Sequence, residues 1–138
     1  MQKGNDVVTV GSGVSVFDAI KMMYDKNIGS LVVVNDSGKL VGIFVEQDCF
    51  DKVILEDKSA RDLTVKDVMT TKVIYVAPDA NVDECMAIMT SKRIRHLPVL
   101  DSSKNIVGII SIGDLVKSVS SEQESTIRSL EKYIEGSL

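Results

Sequence analysis

The chain has no tryptophan, and its aromatic residues amount to 4% of 138. A core must therefore be packed from Val, Ile, Leu and Met, and a 44% hydrophobic content is enough to fill one of single-domain size. Basic excess is missing as well. Sixteen Lys and Arg face 20 Asp and Glu, giving a net charge of −4 and a pI near 5.0. An overall electrostatic grip on phosphate backbones is excluded on that balance, so nucleic acid is not expected as the main target. No apolar run approaches the roughly 18 residues that span a bilayer, so no membrane partner is expected.

Only two cysteines occur, Cys49 and Cys85. They make neither a CxxC nor a metal-ligand spacing and read as buried thiols in a reducing interior. The first residues, MQKGNDVV, hold no signal-peptide apolar region. The expected location is cytoplasmic, or an organelle lumen if a targeting segment was removed. Catalytic signatures are missing too: there is no P-loop, no GxGxxG, and no Ser-His-Asp or Cys-His set. The single histidine, His96, is thin support for an enzyme. A non-catalytic protein that needs no metal for its fold is expected.

What is present is a duplication. At an offset of 66, VVTVGSGVSVFDAIKMMYDKNIGSLVVVNDSGKLVGIF lies on VIYVAPDANVDECMAIMTSKRIRHLPVLDSSKNIVGII without a gap. Each copy begins with a short β run (Val7 to Val10; Val73 to Val76). A capping signal follows, Ser15-x-x-Asp18 or Asn81-x-x-Glu84. The next stretch places Val16, Ala19, Ile20 and Met23, or Val82, Cys85, Met86 and Met89, on one helical face. Apolar runs at Leu31 to Val34 and Leu97 to Leu100 read as strands covered on both sides. Turn residues and hairpin partners (Leu40 to Phe44; Ile106 to Ile110) come next, and a second helix closes each copy.

The expected architecture is mixed α/β (α+β). Two β-α-β-β-α repeats pack with pseudo-two-fold symmetry, followed by an extended C-terminal helix. The boundaries are residues 1–55 for the first repeat, 56–72 for a connecting segment and 73–138 for the second repeat with its extension. In that extension Ile112, Leu115, Val116 and Val119 share a face that Ile127, Leu130, Tyr133 and Ile134 resume, with Gly136 as a stop. The stripe packs either on a second copy of the chain or back on its own domain.

Two motifs carry polar chemistry. GIISIGDL (Gly108 to Leu115) repeats GIFVEQDC (Gly42 to Cys49), yet Ser111 and Gly113 replace Val45 and Gln47. Gly108, in a strand, marks close approach of a ligand or another backbone. Ser111 stands where a strand gives way to a helix, a place suited to phosphate. Ser111-x-x-Asp114 is equally a helix-capping pair. Lys92, Arg93, Arg95 and His96 form a basic cluster in an acidic protein. Arg95 and His96 precede a strand, whereas Lys92 and Arg93 read as a solvated helix end.

RIRHLPVLD and GIISIGDL in the second copy, with NIGSLVVVNDSGKLVGIF in the first, closely resemble a tandem pair of CBS domains, or Bateman module. The tail is similar to that of small stand-alone CBS-pair proteins. The resemblance implies an adenosine-containing ligand (AMP, ADP, ATP, NAD or S-adenosylmethionine) between the repeats. It also implies a homodimer and occupancy relayed to an unidentified regulated protein. It assigns phosphate and ribose contacts to Ser111 and Asp114, and adds Pro98 to the site. Arg95 and His96 would supply the phosphate cation. Val68, Met69 and Ile74 are either walls for an adenine ring or plain core. In the first copy Asp48 keeps its place, and Gly29 and Ser30 leave room for a base. Val45 lacks a hydroxyl, and Gln47 replaces an arginine common in the family. One competent site on the second repeat and one altered site on the first are expected. A structural dimerisation module with vestigial sites is the alternative.

Overall fold

A computed structural model describes residues 7–119 of the chain. The first repeat runs β1 (Thr9–Gly11), α1 (Val16–Lys26), β2 (Ser30–Val34), β3 (Leu40–Val45) and α2 (Glu46–Cys49). A π-helical turn, Phe50–Ile54, extends α2. A short connecting helix α3 (Val65–Val68) leads to α4 (Val82–Lys92), β4 (His96–Leu100), β5 (Ile106–Ser111) and α5 (Ile112–Val119).

The local causes are shared by the two copies. Ser15 Oγ accepts from Asp18 N at 3.0 Å at the start of α1. Asn81 and Glu84 close a reciprocal box at α4, with bonds of 2.8 and 3.0 Å. Both helices end on a left-handed residue, Asn27 (φ 54°) and its equivalent Arg93 (φ 56°). Asn tolerates that conformation; Arg adopts it at a steric cost. Both hairpins turn through a side-chain acceptor, Asn35 Oδ1 or Asp101 Oδ1, which takes two backbone N–H groups. Both also shift register at one place, after Val33 in the first hairpin and after Val99 in the second.

The sheets differ at one strand. In the first repeat β1 pairs parallel with β2, which pairs antiparallel with β3. The matching run Val73 to Val76 is not a strand; only Val76 bridges to Val99. The reason is Pro98. Val32 N donates to Val8 O at 3.1 Å, and the equivalent bond would run from Pro98 to Ile74. Proline has no N–H to give, so the ladder stops.

Each repeat keeps its own aliphatic core. One is built on Val16, Leu31, Val33, Phe44 and Val65, the other on Cys85, Met89, Leu97 and Leu115. The expected stripe on α5 divides: Leu115 is fully buried, whereas Ile112 and Val116 are exposed. The continuation through Ile127, Leu130, Tyr133, Ile134 and Gly136 lies outside the described residues. No helix among the described residues is long and apolar enough to cross a membrane.

Candidate functional site: a cleft between the repeats

A cleft of about 1320 Å³ lies between the two repeats. Its walls are equivalent backbone pieces. Glu46 N donates to Gly29 O at 3.2 Å, and Ile112 N donates to Arg95 O at 2.9 Å. These bonds join the start of the closing helix to the start of the central strand in each copy. The strand-to-helix corners carrying Val45 and Ser111 thus open onto one space.

Ser111 and Asp114 stand at the second corner. Ser111 Oγ accepts from Asp114 N at 3.1 Å, and Asp114 Oδ2 accepts from Ser111 N at 2.8 Å. The pair is therefore a helix cap, and it is also cleft wall. Accepting that bond leaves the serine proton available to donate. Arg95, His96, Pro98 and Ile74 line the same cleft. His96 sits directly across the β4–β5 ladder from Ser111. Burial holds the His96 pKa below its usual value; Glu46 and Asp114 pull the other way, and Arg95 adds to the lowering.

Gly29, Ser30 and Asp48 reach the cleft from the first repeat. Asp48 is almost wholly buried. Its Oδ2 accepts from Val45 N at 3.0 Å. Its Oδ1 accepts from Thr70 Oγ1 at 3.2 Å and pairs with Lys52 Nζ at 3.2 Å. Val45, lacking a hydroxyl, cannot return a side-chain bond, so the cap is half of that at Ser111. Gln47 Nε2 donates to Asp51 Oδ1 at 3.0 Å. Asp48 thus binds its corner to the connecting segment, which Thr70 fastens further through two backbone bonds to Ile43 of 2.8 and 2.9 Å.

Three expected site residues stand apart from the cleft lining. Val68 is buried in the first core and Met69 packs against it. The Met69 thioether lies over Gly42, with Sδ 2.6 Å from where a Cβ would stand. Gly108 is buried in β5 opposite Val99. Conversely, Glu46, Thr70, Lys72 and Arg93 line the cleft, although the sequence assigns no site role to the first three and places Arg93 at a solvated helix end. Glu46 was legible in the repeat comparison, since it replaces Ile112; Thr70 and Lys72 carried no comparable signal. Among the described residues no group of His, Cys, Asp and Glu is placed to hold a metal ion.

Cys49 is half-buried, and burial with the neighbouring Asp48 and Glu46 charges pushes its thiol up to about 11. Cys85 is buried, and burial raises its pKa as well. Neither is a ready thiolate.

A duplicated unit closed on one shared cleft defines a two-repeat module. The chain belongs to the CBS domain family, whose model matches residues 1–55 and again 65–121. It is 40% identical over 126 residues to the mitochondrial CBS domain-containing protein CBSX3 of Arabidopsis thaliana, covering 88% of this chain and 61% of that one. The chain thus spans less than two thirds of that relative's length. A solved protein with CBS domains from Burkholderia ambifaria MC40-6 is 49% identical with a TM-score of 0.82, over 87% of each chain. A CBS domain pair solved in complex with 5′-methylthioadenosine and S-adenosyl-L-methionine is 29% identical with a TM-score of 0.79, over 88% of this chain and 94% of that one.

Proposed function

We propose that this chain is a non-catalytic regulatory module that binds an adenosine-containing ligand in the cleft between its repeats. The observation that carries this reading is convergence: Ser111, Asp114, Arg95 and His96 face one space with Gly29 and Ser30. The second-repeat corner offers a hydroxyl donor, a carboxylate for ribose hydroxyls and a guanidinium for phosphate. The first-repeat corner offers less, because Val45 stands where the second repeat has Ser111 and brings no hydroxyl to donate. The ligand is therefore centred on Ser111 and Asp114, with the first repeat contributing the floor at Gly29 and Ser30. AMP, ADP, ATP, NAD and S-adenosylmethionine are the compounds to test. The adenosine ligands of the related CBS pair support the class without selecting a member.

Ligand held by both repeats favours one mutual packing, and a partner protein reads that packing through differential affinity. The exposed apolar side chains Phe50, Ile54, Leu55, Ile112 and Val116 favour assembly as a homodimer. They also support the second reading, a dimerisation module whose ligand corners are vestigial. Calorimetry with the five compounds separates the two: heat of binding lost in Asp114→Ala supports the ligand module, and no heat from any of them supports the scaffold.

A further inference from the structure

Glu46 and His96 come from different repeats and meet over Gly29. A Cβ on Gly29 would stand 2.5 Å from Glu46 Oε1 and 3.4 Å from both Cε1 and Nε2 of His96. The absent side chain is what lets a carboxylate and an imidazole share that spot. The fold does not require the acid. Glu46 and Ile112 occupy equivalent positions with equivalent backbone bonds, to Gly29 O and Arg95 O, yet one is charged and the other apolar. Glu46 is exposed and lines the cleft.

We infer that Glu46 and His96 act as a charge filter at the junction of the repeats, so that an anionic ligand enters together with a proton on His96 whereas a neutral one enters alone. This rests on the adenosine-ligand reading above. The proton comes from solvent: neutral imidazole and one H⁺ give imidazolium, and no bond in the ligand changes. The charged groups acting on His96 are Glu46 from α2, Asp114 from α5 and Arg95 on its own strand. Arg93, Asp48, Asp51, Lys52 and Lys72 line the same cleft. Without ligand, burial disfavours a charge on the imidazole, and the exposed Glu46 carboxylate in the cleft lining repels a phosphate. A phosphate beside Ser111 adds a second negative charge facing His96 from across the ladder. Protonation then satisfies both acids at once, so Glu46 selects against anions at high pH and favours them once His96 is charged.

His96 is the only histidine, so its Cε1–H resonance reports its titration without assignment ambiguity. The experiment is a pH titration by proton–carbon NMR of the full chain, free, saturated with adenosine and saturated with AMP. AMP is expected to raise the His96 midpoint by about one unit, a tenfold gain in proton affinity, and adenosine to leave it close to that of the free protein. Glu46→Gln is expected to raise AMP affinity at pH 8 about two- to fivefold relative to adenosine, the effect of removing one partly screened like charge. Binding of both compounds with the same His96 midpoint overturns the filter and leaves the ligand reading standing. Binding of neither compound overturns the filter, and the ligand reading falls with it only when ADP, ATP, NAD and S-adenosylmethionine fail to bind as well.

Discussion

Lys39 Nζ donates to Asn105 Oδ1 at 2.8 Å, and the two residues are 66 positions apart, at the same place in the two repeats. In an object with local two-fold symmetry, a residue touches its own equivalent only on the axis. The axis therefore passes through the tips of the two hairpins. Lys39 also lies close to Asp101, whose pKa is lowered first by the backbone N–H of Asn105 and, least, by the Lys39 charge. Both partners are exposed, so Lys39→Ala or Asn105→Ala should cost about 0.5 kcal/mol, the low end for one hydrogen bond. A double-mutant cycle by urea denaturation checks this; strict additivity would mean that the bond contributes nothing.

The two equivalent aspartates should fail differently. Asp48 is buried and joins α2, Thr70 and Lys52, so Asp48→Ala should destabilise by about 3 kcal/mol, as for breaking a buried polar network. Asp114 caps one helix and is half-buried, so Asp114→Ala should cost about 1 kcal/mol of stability. Ligand affinity should show the reverse ranking. Denaturant midpoints and calorimetry on both variants measure the two losses separately.

Two glycines make a matched test of crowding. A Cβ at Gly42 would meet Met69 Sδ at 2.6 Å and the backbone oxygen of Thr70 at 3.0 Å. That oxygen is fixed by its bond to Ile43, so Gly42→Ala should cost about 1–3 kcal/mol as overpacking. At Gly29 the closest atom is the far end of the Glu46 side chain, which can swing away. Gly29→Ala should leave the melting temperature nearly unchanged while weakening ligand binding, because the added methyl occupies the floor of the cleft. Thermal melts with and without AMP check both.

Protonation of His96 should be visible in the free protein as well. Its folded pKa lies below the unfolded value because of burial. Below about pH 6.5 the unfolded chain therefore binds more protons than the folded one, and stability falls as pH drops through the window beneath that value. The contribution is fully present above the unfolded pKa, and His96→Gln should remove this segment of the profile. Melting temperatures between pH 8 and 5.5 on both proteins measure it.

Much of this was legible in the sequence because the chain states its fold twice. Caps at Ser15 and Asn81 and both hairpins follow from a gap-free repeat whose local signals agree. The Val73–Val76 strand was misread because apolar pattern is blind to one missing N–H, that of Pro98, on the neighbouring strand. The capture of Asp48 by Thr70 and Lys52 was hidden for another reason. Thr70 comes from the connecting segment and reaches Asp48 only through tertiary pairing with Ile43. Val68 and Met69 were equally good as core or adenine wall in sequence, and packing of the first repeat claims both for the core.

The central claim is that one cleft, centred on Ser111 and Asp114, takes an adenosine-containing ligand. Calorimetric titration of the wild-type chain and Asp114→Ala with AMP, ADP, ATP, NAD and S-adenosylmethionine tests it most directly. The account predicts saturable binding of at least one compound to the wild type, weakened tenfold or more in a still-folded Asp114→Ala, about the 1.4 kcal/mol expected for lost charge-assisted hydrogen bonds. Equal affinity in both proteins, or no binding to folded wild type by any of the five, would contradict it.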